Sequence, residues 1–167
     1  INGATGFTGR IAVQMARYYG AGKILVTGRN EQALETLVPL GADEIITIGR
    51  SDGDFTDQIN DSLRRGPIDV IIDYLWGHTA ELILSCLKGD GAFTRKTRFV
   101  STGAMTGDTI SLSAENLRSA DLEIRGSGLG SWSRDEVREL FTDILPSAFG
   151  LASQNRLQVN TVRIRLD

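Results

Sequence analysis

The sequence predicts an α/β fold in which helices cover both faces of a doubly wound parallel sheet. Short runs rich in β-branched residues alternate with helical patterns along the chain, which is typical of successive βαβ units. One run, IDVIID at residues 68–73, is almost continuously apolar, as expected for a central strand that is covered on both faces. A glycine-rich turn stands directly before the first helical pattern.

Five helices are predicted from apolar residues at helical spacing and from their end signals. Asn30 is a suitable cap for the second helix, and Pro39 stands just beyond its end. In chain order the predicted helices cover residues 8–19, 31–38, 54–63, 79–87 and 135–145.

Five strands are predicted between these helices from short runs of apolar and β-branched residues. In chain order they cover residues 23–27, 43–48, 68–73, 98–102 and 122–126. Residues 157–166 alternate like an exposed strand that seeks a partner. We therefore predict one domain over residues 1–167, with its first strand cut short at residue 1.

Composition and charge limit the classes of function. A chain of 167 residues is long enough to bury roughly 70% of the surface that its unfolded form exposes. A formal net charge of −3, with scattered Lys and Arg, argues against nucleic acid and anionic membranes as partners. No apolar stretch is long enough to cross a bilayer, and no secretory signal is present, so we expect a soluble cytoplasmic protein. Because Ile1 leads straight into the glycine turn, we also expect sequence upstream of it.

The strongest chemical signal is this turn, which contains Gly3, Ala4, Thr5, Gly6, Phe7, Thr8 and Gly9. Glycines at such a position permit a tight turn, let the backbone approach a pyrophosphate, and allow close packing of helix on strand. The free N–H groups at the start of the helix attract the phosphate charge. The spacing G-x-x-G-x-x-G departs from the usual G-x-G-x-x-G, so the alternative is a plain glycine-rich turn. The helices and strands that follow favour a Rossmann domain that binds a dinucleotide.

The end of the next strand bears on which dinucleotide is bound. It contains Thr27, Gly28, Arg29 and Asn30, with no acidic residue that would accept hydrogen bonds from the ribose of NAD. Arg29 lies 20 residues after Gly9, where a guanidinium would pair with the 2′-phosphate of NADPH. The alternative for Arg29 is a solvated side chain. Asn30 could hydrogen-bond the cofactor or cap the following helix.

The later strands end at the same edge of the sheet, where ligands of open α/β folds bind. We predict that the residues there which face the cofactor are Tyr74, Thr102, Gly103, Ala104, Gly128 and Leu129. Gly103 and Gly128 are equally compatible with ordinary turns. Trp76 either covers the cofactor or simply packs. His78 and Cys86 lack metal-ligand spacing, so no metal site is predicted.

Four segments together resemble the medium-chain dehydrogenase/reductases, and within them the zinc-independent quinone oxidoreductases. These segments are residues 2–30, LGADEIITI at 40–48, PIDVIIDYLWG at 67–77, and residues 109–130. The resemblance implies that residues 2–9 bind the pyrophosphate and residues 27–30 the adenosine ribose. It implies that residues 103–105, with Gly128 and Leu129, lie at the nicotinamide side.

The resemblance also implies a catalytic domain that precedes this chain and to which the tail strand returns. The whole protein would transfer hydride from NADPH to a small-molecule quinone, enone or aldehyde, and this chain alone would bind cofactor without turnover. No catalytic residue is predicted within it. The resemblance further implies a homodimer through the edge strand at residues 122–126. The alternative function is a sensor or scaffold that binds NADPH without consuming it, because GATGFTGR also occurs in extended short-chain-like and saccharopine-dehydrogenase-like proteins.

Overall fold

The structure is a computed structural model that describes residues 1–49, 51–89, 93–158 and 164–165. Its contacts divide the chain into two compact units, Ile1–Ser131 and Trp132–Asp167. The single domain over residues 1–167 therefore stays a prediction. None of the helices found in the described ranges has the length and apolar character needed to cross a bilayer.

In the described part of Ile1–Ser131, helices and parallel strands alternate along the chain. The helices are α1 (Phe7–Tyr18), α2 (Glu31–Glu35), α3 (Asp52–Arg65), α4 (Gly77–Cys86) and α5 (Ala114–Ser119). The strands are β1 (Leu25–Gly28), β2 (Glu44–Thr47), β3 (Val70–Asp73), β4 (Thr97–Ser101) and β5 (Leu122–Gly126). Short 3₁₀ turns follow α2 at Val38–Leu40 and β5 at Leu129–Ser131.

The opening residues 1–4 join two groups of parallel strands. The pair β2-β1 lies on one side of them and the triplet β3-β4-β5 on the other. The Asn2 N–H donates to Ile72 O at 2.8 Å, and the Asn2 carbonyl accepts from the Tyr74 N–H at 3.1 Å. On the opposite side, the Thr27 N–H donates to Ile1 O at 3.0 Å. Residues 1–4 therefore occupy the place of a strand between β1 and β3.

This arrangement gives the order β2, β1, opening residues, β3, β4, β5. Chain connections run away from the opening residues in both directions, which is the topological switch point of a Rossmann sheet. The doubly wound parallel sheet predicted from the sequence is confirmed. β5 lies at an edge of the three-stranded group.

Two clusters of buried apolar side chains hold the helices on the sheet. In α3, Phe55 and Ile59 are four residues apart and both are buried, because this spacing places them on one face of a helix. They pack in one cluster with Ile46, Ile71, Ala80, Ile83, Leu84, Leu87 and Phe99. The second cluster joins α1, β1 and α2 through Ala4, Val13, Ile24, Val26, Leu34, Leu37, Leu40 and Ala42.

The predicted strands and the first four predicted helices are confirmed in position. The second helix is shorter than predicted, because Val38 precedes a proline, which disfavours the α conformation, and the chain forms a 3₁₀ turn there. Helix α5 is absent from the prediction. It has only six residues, and its start is marked by Ser113, whose side chain accepts from the Asn116 N–H.

The unit Trp132–Asp167 contains α6 (Arg134–Glu139), a π-helical segment (Leu140–Ile144) and α7 (Leu145–Ser153). Ser133 and Glu136 form a reciprocal capping box at the start of α6. The predicted helix end at residue 145 is wrong. Pro146 lacks the N–H of a regular α turn, but it stands in the first turn of α7, directly after the wider π turn, where that N–H is not needed. Most of the predicted tail strand at 157–166 lies outside the described residues.

The packing of α1 on the opening residues makes a prediction for Gly9. A Cβ atom at Gly9 would lie 2.6 Å from the backbone of Ala4, so Gly9→Ala should lower the free energy of unfolding by about 1–3 kcal/mol. The control is Gly22→Ala, because a Cβ at Gly22 meets nothing within 4 Å. Urea denaturation measures both variants, and equal stabilities would contradict the proposed close packing.

Candidate functional site

The glycine turn lies at the switch point, and its three glycines have different surroundings. Gly3 has a φ of +79°, and a Cβ there would lie 2.7 Å from Leu75 Cγ, so this position forms the tight turn. Gly9 brings α1 against the backbone of Ala4. A Cβ at Gly6 would meet nothing within 4 Å, so Gly6 marks the open side of the turn. The surroundings of Gly3 and Gly9 are compatible with the predicted turn and helix packing, and the approach of a pyrophosphate at Gly6 stays a prediction.

The start of α1 has no side-chain cap. Gly6 occupies the N-cap position and provides no side-chain hydrogen bond. Among the described residues, the backbone N–H groups of Gly6, Phe7 and Thr8 have no acceptor. Four other helices are capped by a side chain, namely that of Asn30, Ser51, Ser113 or Ser133. The exposed donors of α1 therefore stand free toward the open side of the turn, as an anion site requires.

A buried polar bridge lies beneath the turn and connects three neighbouring strands. The Thr27 hydroxyl donates to Asn2 Oδ1 at 2.5 Å, and Asn2 Nδ2 donates to Asp73 Oδ1 at 2.6 Å. Asp73 also accepts the N–H groups of Leu75 at 3.2 Å and Trp76 at 2.9 Å. Burial raises the pKa of Asp73, whereas the hydrogen bonds from Asn2 and the two backbone N–H groups act in the opposite direction. The bridge fixes the turn from below.

The side chain of Asn2 therefore supports the turn and is 1% exposed. Ala4 and Gly9, which the sequence places among the cofactor-binding residues, are also buried. Thr5 is partly buried, whereas Gly6, Phe7 and Thr8 are exposed. The open part of the predicted pyrophosphate site thus consists of Gly6, Phe7 and Thr8.

At the end of β1 the predicted ribose-binding residues divide into two pairs. Thr27 and Gly28 are buried, and the Thr27 hydroxyl is already bonded within the bridge. Asn30 caps α2, because its Oδ1 accepts the Ala33 N–H at 3.0 Å. Arg29 is exposed, and within the described ranges its guanidinium has no hydrogen bond or ion pair. It is a free cation at the carboxyl end of β1, the strand that lies next to the glycine turn.

A cavity of about 480 Å³ opens at the carboxyl ends of β4 and β5. It is lined by Trp76, Ser101, Thr102, Gly103, Ala104, Asp108, Gly126, Ser127, Gly128, Gly130 and Ser131. The Ser131 hydroxyl accepts the Gly128 N–H at 3.0 Å and thereby folds the loop after β5 into one wall. Most of the lining residues are Gly, Ala, Ser or Thr, and Trp76 is the largest of them.

Of the residues predicted for the nicotinamide side, those that line this cavity are Thr102, Gly103, Ala104 and Gly128. Tyr74 and Leu129 are not part of the lining. The Tyr74 carbonyl lies under Gly103, where an added Cβ would approach it to 2.8 Å, so the loops after β3 and β4 are in close contact. Burial raises the pKa of the Tyr74 hydroxyl, which donates a hydrogen bond to the Thr8 carbonyl at 3.5 Å.

The comparisons with known proteins decide the family. A family model described as zinc-binding dehydrogenase matches residues 8–145. The chain belongs to this family. One relative is the "Probable NADPH-dependent quinone reductase tdiC" of Emericella nidulans, which is 30% identical over 175 residues. The match covers 96% of this chain and 48% of that relative.

Two further proteins extend the comparison. The mitochondrial enoyl-acyl-carrier-protein reductase of Arabidopsis thaliana is 29% identical over 164 residues, covering 96% of this chain and 41% of the relative. The crystal structure of Escherichia coli quinone oxidoreductase complexed with NADPH has 22% identity and a TM-score of 0.74, with 96% of this chain and 46% of that chain covered. The likeness in structure confirms the Rossmann fold. The chain spans less than half the length of these curated relatives.

The predicted resemblance to the medium-chain dehydrogenase/reductases is confirmed, and the chain corresponds to their cofactor-binding part.

A zinc ion does not fit the described residues of this family member. They bring together no group of three or more His, Cys, Asp or Glu side chains that could hold a metal ion. The ring nitrogens of His78 pair with Asp52 at 2.8 Å and Glu81 at 3.3 Å, and both carboxylates raise the pKa of His78. Burial raises the pKa of the Cys86 thiol.

The sequence interpretation missed Asp73 as the support of the turn. Asp73 ends an apolar run that the sequence predicts to be a central strand, and a carboxylate buried in such a strand requires a partner. That requirement was the available signal. The partner, Asn2, lies 71 residues earlier, so only the strand order reveals the pair.

The bridge predicts a specific loss of stability in Asp73→Asn. An asparagine has one acceptor oxygen for the three donors that Asp73 receives, and its own amide N–H would face donors, so unfolding should cost about 1–3 kcal/mol less. The control is Asp69→Asn, because the Asp69 side chain is 68% exposed near the start of β3. Chemical denaturation of both variants tests this, and a neutral Asp73→Asn would contradict the role of the bridge.

Proposed function

We propose that this domain binds NADPH and forms the cofactor half of an oxidoreductase. The whole protein would transfer hydride from the reduced nicotinamide to a quinone, an enone or an aldehyde. The observation that carries the proposal is the uncapped start of α1, which is open at Gly6 and lies beside the free guanidinium of Arg29 at one sheet edge.

The diphosphate of the cofactor would lie at the open side of the glycine turn. The free N–H groups of Gly6, Phe7 and Thr8 point their partial positive charge to the same place, and the helix dipole adds to it. Gly6 carries no Cβ that would keep a phosphate from the backbone. Gly3, Ala4, Thr5 and Gly9 would act by shaping the turn.

The adenosine ribose would lie at the end of β1. Arg29 is the group that would bind a 2′-phosphate, because a guanidinium pairs with phosphate through two parallel hydrogen bonds. Thr27 and Gly28 would support this end of the strand, and Asn30 would hold the start of α2. Because Arg29 has no partner within the described ranges, no existing ion pair has to break when the phosphate arrives.

The nicotinamide would reach the cavity beyond β4 and β5. The lining residues that would contact it are Thr102, Gly103, Ala104 and Gly128. Tyr74 and Leu129 are also predicted from the sequence to face the nicotinamide, although they do not line the cavity. The hydroxyl and backbone of Thr102 both donate to Asp73 O at 2.8 Å, which supports a fixed position for this wall. A pre-formed wall of this kind orients a ring without ordering the loop on binding.

The names of the relatives support NADPH and the class of acceptor. The Emericella nidulans relative is named as an NADPH-dependent quinone reductase, and the Arabidopsis thaliana relative as an enoyl-acyl-carrier-protein reductase. Since this chain spans less than half of either, the whole protein's activity belongs to this proposal. The chain itself contributes no catalytic residue in it. The homodimer through Leu122–Gly126 and the cytoplasmic location stay predictions.

Arg29→Glu tests the choice of cofactor. The substitution places a negative charge where the 2′-phosphate would bind, so NADPH affinity should fall roughly 100-fold while NADH affinity changes by less than about threefold. The control is Arg118→Glu. Arg118 lies in the last turn of α5, directly before β5 begins, and therefore at the amino-terminal ends of the parallel strands, away from the proposed site. Calorimetric titration measures each pair. Equal losses for the two nucleotides would contradict the role of Arg29.

Turnover tests the division of labour between the two halves. This chain mixed with NADPH and a panel of quinones, enones and aldehydes should leave the absorbance of the reduced nicotinamide unchanged, because nothing orients the acceptor. A protein that contains this chain together with a catalytic domain, as long as the relatives, should consume NADPH with at least one acceptor. Steady turnover by this chain alone would contradict the assignment as a cofactor half.

A further inference from the structure

Trp76 has a backbone conformation that is unusual for a bulky residue. Its φ is 56° and its ψ is −156°, a region that is populated almost entirely by glycine. Gly77, directly beside it, also has a positive φ of 57°. Of these two neighbouring positions with positive φ, one is occupied by a glycine and the other by a tryptophan.

Several hydrogen bonds hold Trp76 in this conformation. Its N–H donates to Asp73 Oδ2 at 2.9 Å, and its carbonyl accepts the hydroxyls of Thr106 at 2.9 Å and Thr79 at 3.2 Å. These partners come from β3, from the loop after β4 and from α4. A residue whose strained backbone conformation is held by several surrounding groups is typical of functional sites.

The side chain of Trp76 lies between the core and the cavity. Its ring meets the buried Phe99 ring edge to face, with centroids 6.0 Å apart and an interplanar angle of 65°. The same residue lines the cavity beyond β4 and β5. Trp76 therefore stands between the core and the cavity and forms a wall on the side of the cavity that adjoins β3.

The strand order places this wall on the path of an extended dinucleotide. The glycine turn follows the opening residues, the cavity lies beyond β4 and β5, and β3 stands between them. With neighbouring strands about 4.8 Å apart, β4 is about 10 Å from the opening residues. A cofactor whose diphosphate lies at the turn must pass the end of β3, where Trp76 stands, to reach the cavity.

We infer that the indole of Trp76 packs against the nicotinamide ring of bound NADPH and contributes to its affinity. The inference rests on the proposed function. It explains why a tryptophan occupies a position whose backbone favours glycine, because the turn alone needs no side chain. A flat indole and a flat nicotinamide offer each other a large apolar contact at little cost in side-chain freedom.

The test compares two ligands on this chain by calorimetric titration. NADPH contains the nicotinamide, whereas 2′-phospho-ADP-ribose keeps the adenosine, the 2′-phosphate and the diphosphate without it. The principal variant is Trp76→Gly, since glycine adopts the same backbone without strain. Because this substitution also removes the contact with Phe99, thermal denaturation checks that the variant is folded at the temperature of the titration. Trp76→Phe restores an aromatic ring. Tyr19→Ala removes an exposed aromatic just beyond the far end of α1, about 18 Å from the glycine turn, and serves as the control.

The expected result is a selective loss. Trp76→Gly should weaken NADPH binding roughly tenfold and change 2′-phospho-ADP-ribose binding by less than about twofold. Trp76→Phe should recover most of the NADPH affinity, and Tyr19→Ala should alter neither ligand. Equal losses for both ligands would assign Trp76 a structural role and overturn the inference, as would no loss for either. If the unaltered chain bound neither ligand, the proposed function itself would fail.

Discussion

The buried carboxylate of Asp73 is the interaction on which the site depends. On one side it binds the amide of Asn2 and so fixes the opening residues beside β3. On the other side it accepts the Trp76 N–H and so fixes the loop that leads into α4. A buried charge with three donors is costly to disturb, because every group left unpaired would remain out of water. One side chain thus positions both the glycine turn and the wall of the cavity.

The helices differ in how their first N–H groups are satisfied. Side chains of Asn and Ser satisfy the first N–H groups of α2, α3, α5 and α6. At α1 the equivalent N–H groups have no such acceptor, and the N-cap is a glycine that leaves them accessible. Helices α4 and α7 also lack a side-chain cap, so the distinguishing feature of α1 is that its N-cap is an exposed glycine that leaves the N–H groups accessible. In this fold the helix concerned begins at the switch point of the sheet.

The fold was predictable from local patterns, whereas the support of the site was not. Runs such as IDVIID are recognisable as strands because burial on both faces demands continuous apolar residues. The glycine spacing also indicates the turn and the close packing of α1, whereas the approach of a pyrophosphate to the turn stays a prediction. The Thr27 hydroxyl and the Asp73 carboxylate appear in the sequence as ordinary strand residues, and their pairing arises only when distant segments become neighbours. The same holds for Trp76, whose backbone conformation comes from contacts with three separate elements.

The order of strands gives the opening residues a mechanical role. In the described part of the chain, the β2-β1 pair and the β3-β4-β5 triplet are hydrogen-bonded to each other only through residues 1–4. The two halves of the sheet are therefore joined by a segment of only four residues. The glycine turn follows directly at the end of this segment. A dinucleotide bound as proposed, with one end beyond β1 and the other beyond β4, would contact both groups of strands at the same time. Binding of this kind would stabilise the sheet where its hydrogen bonding is least extensive.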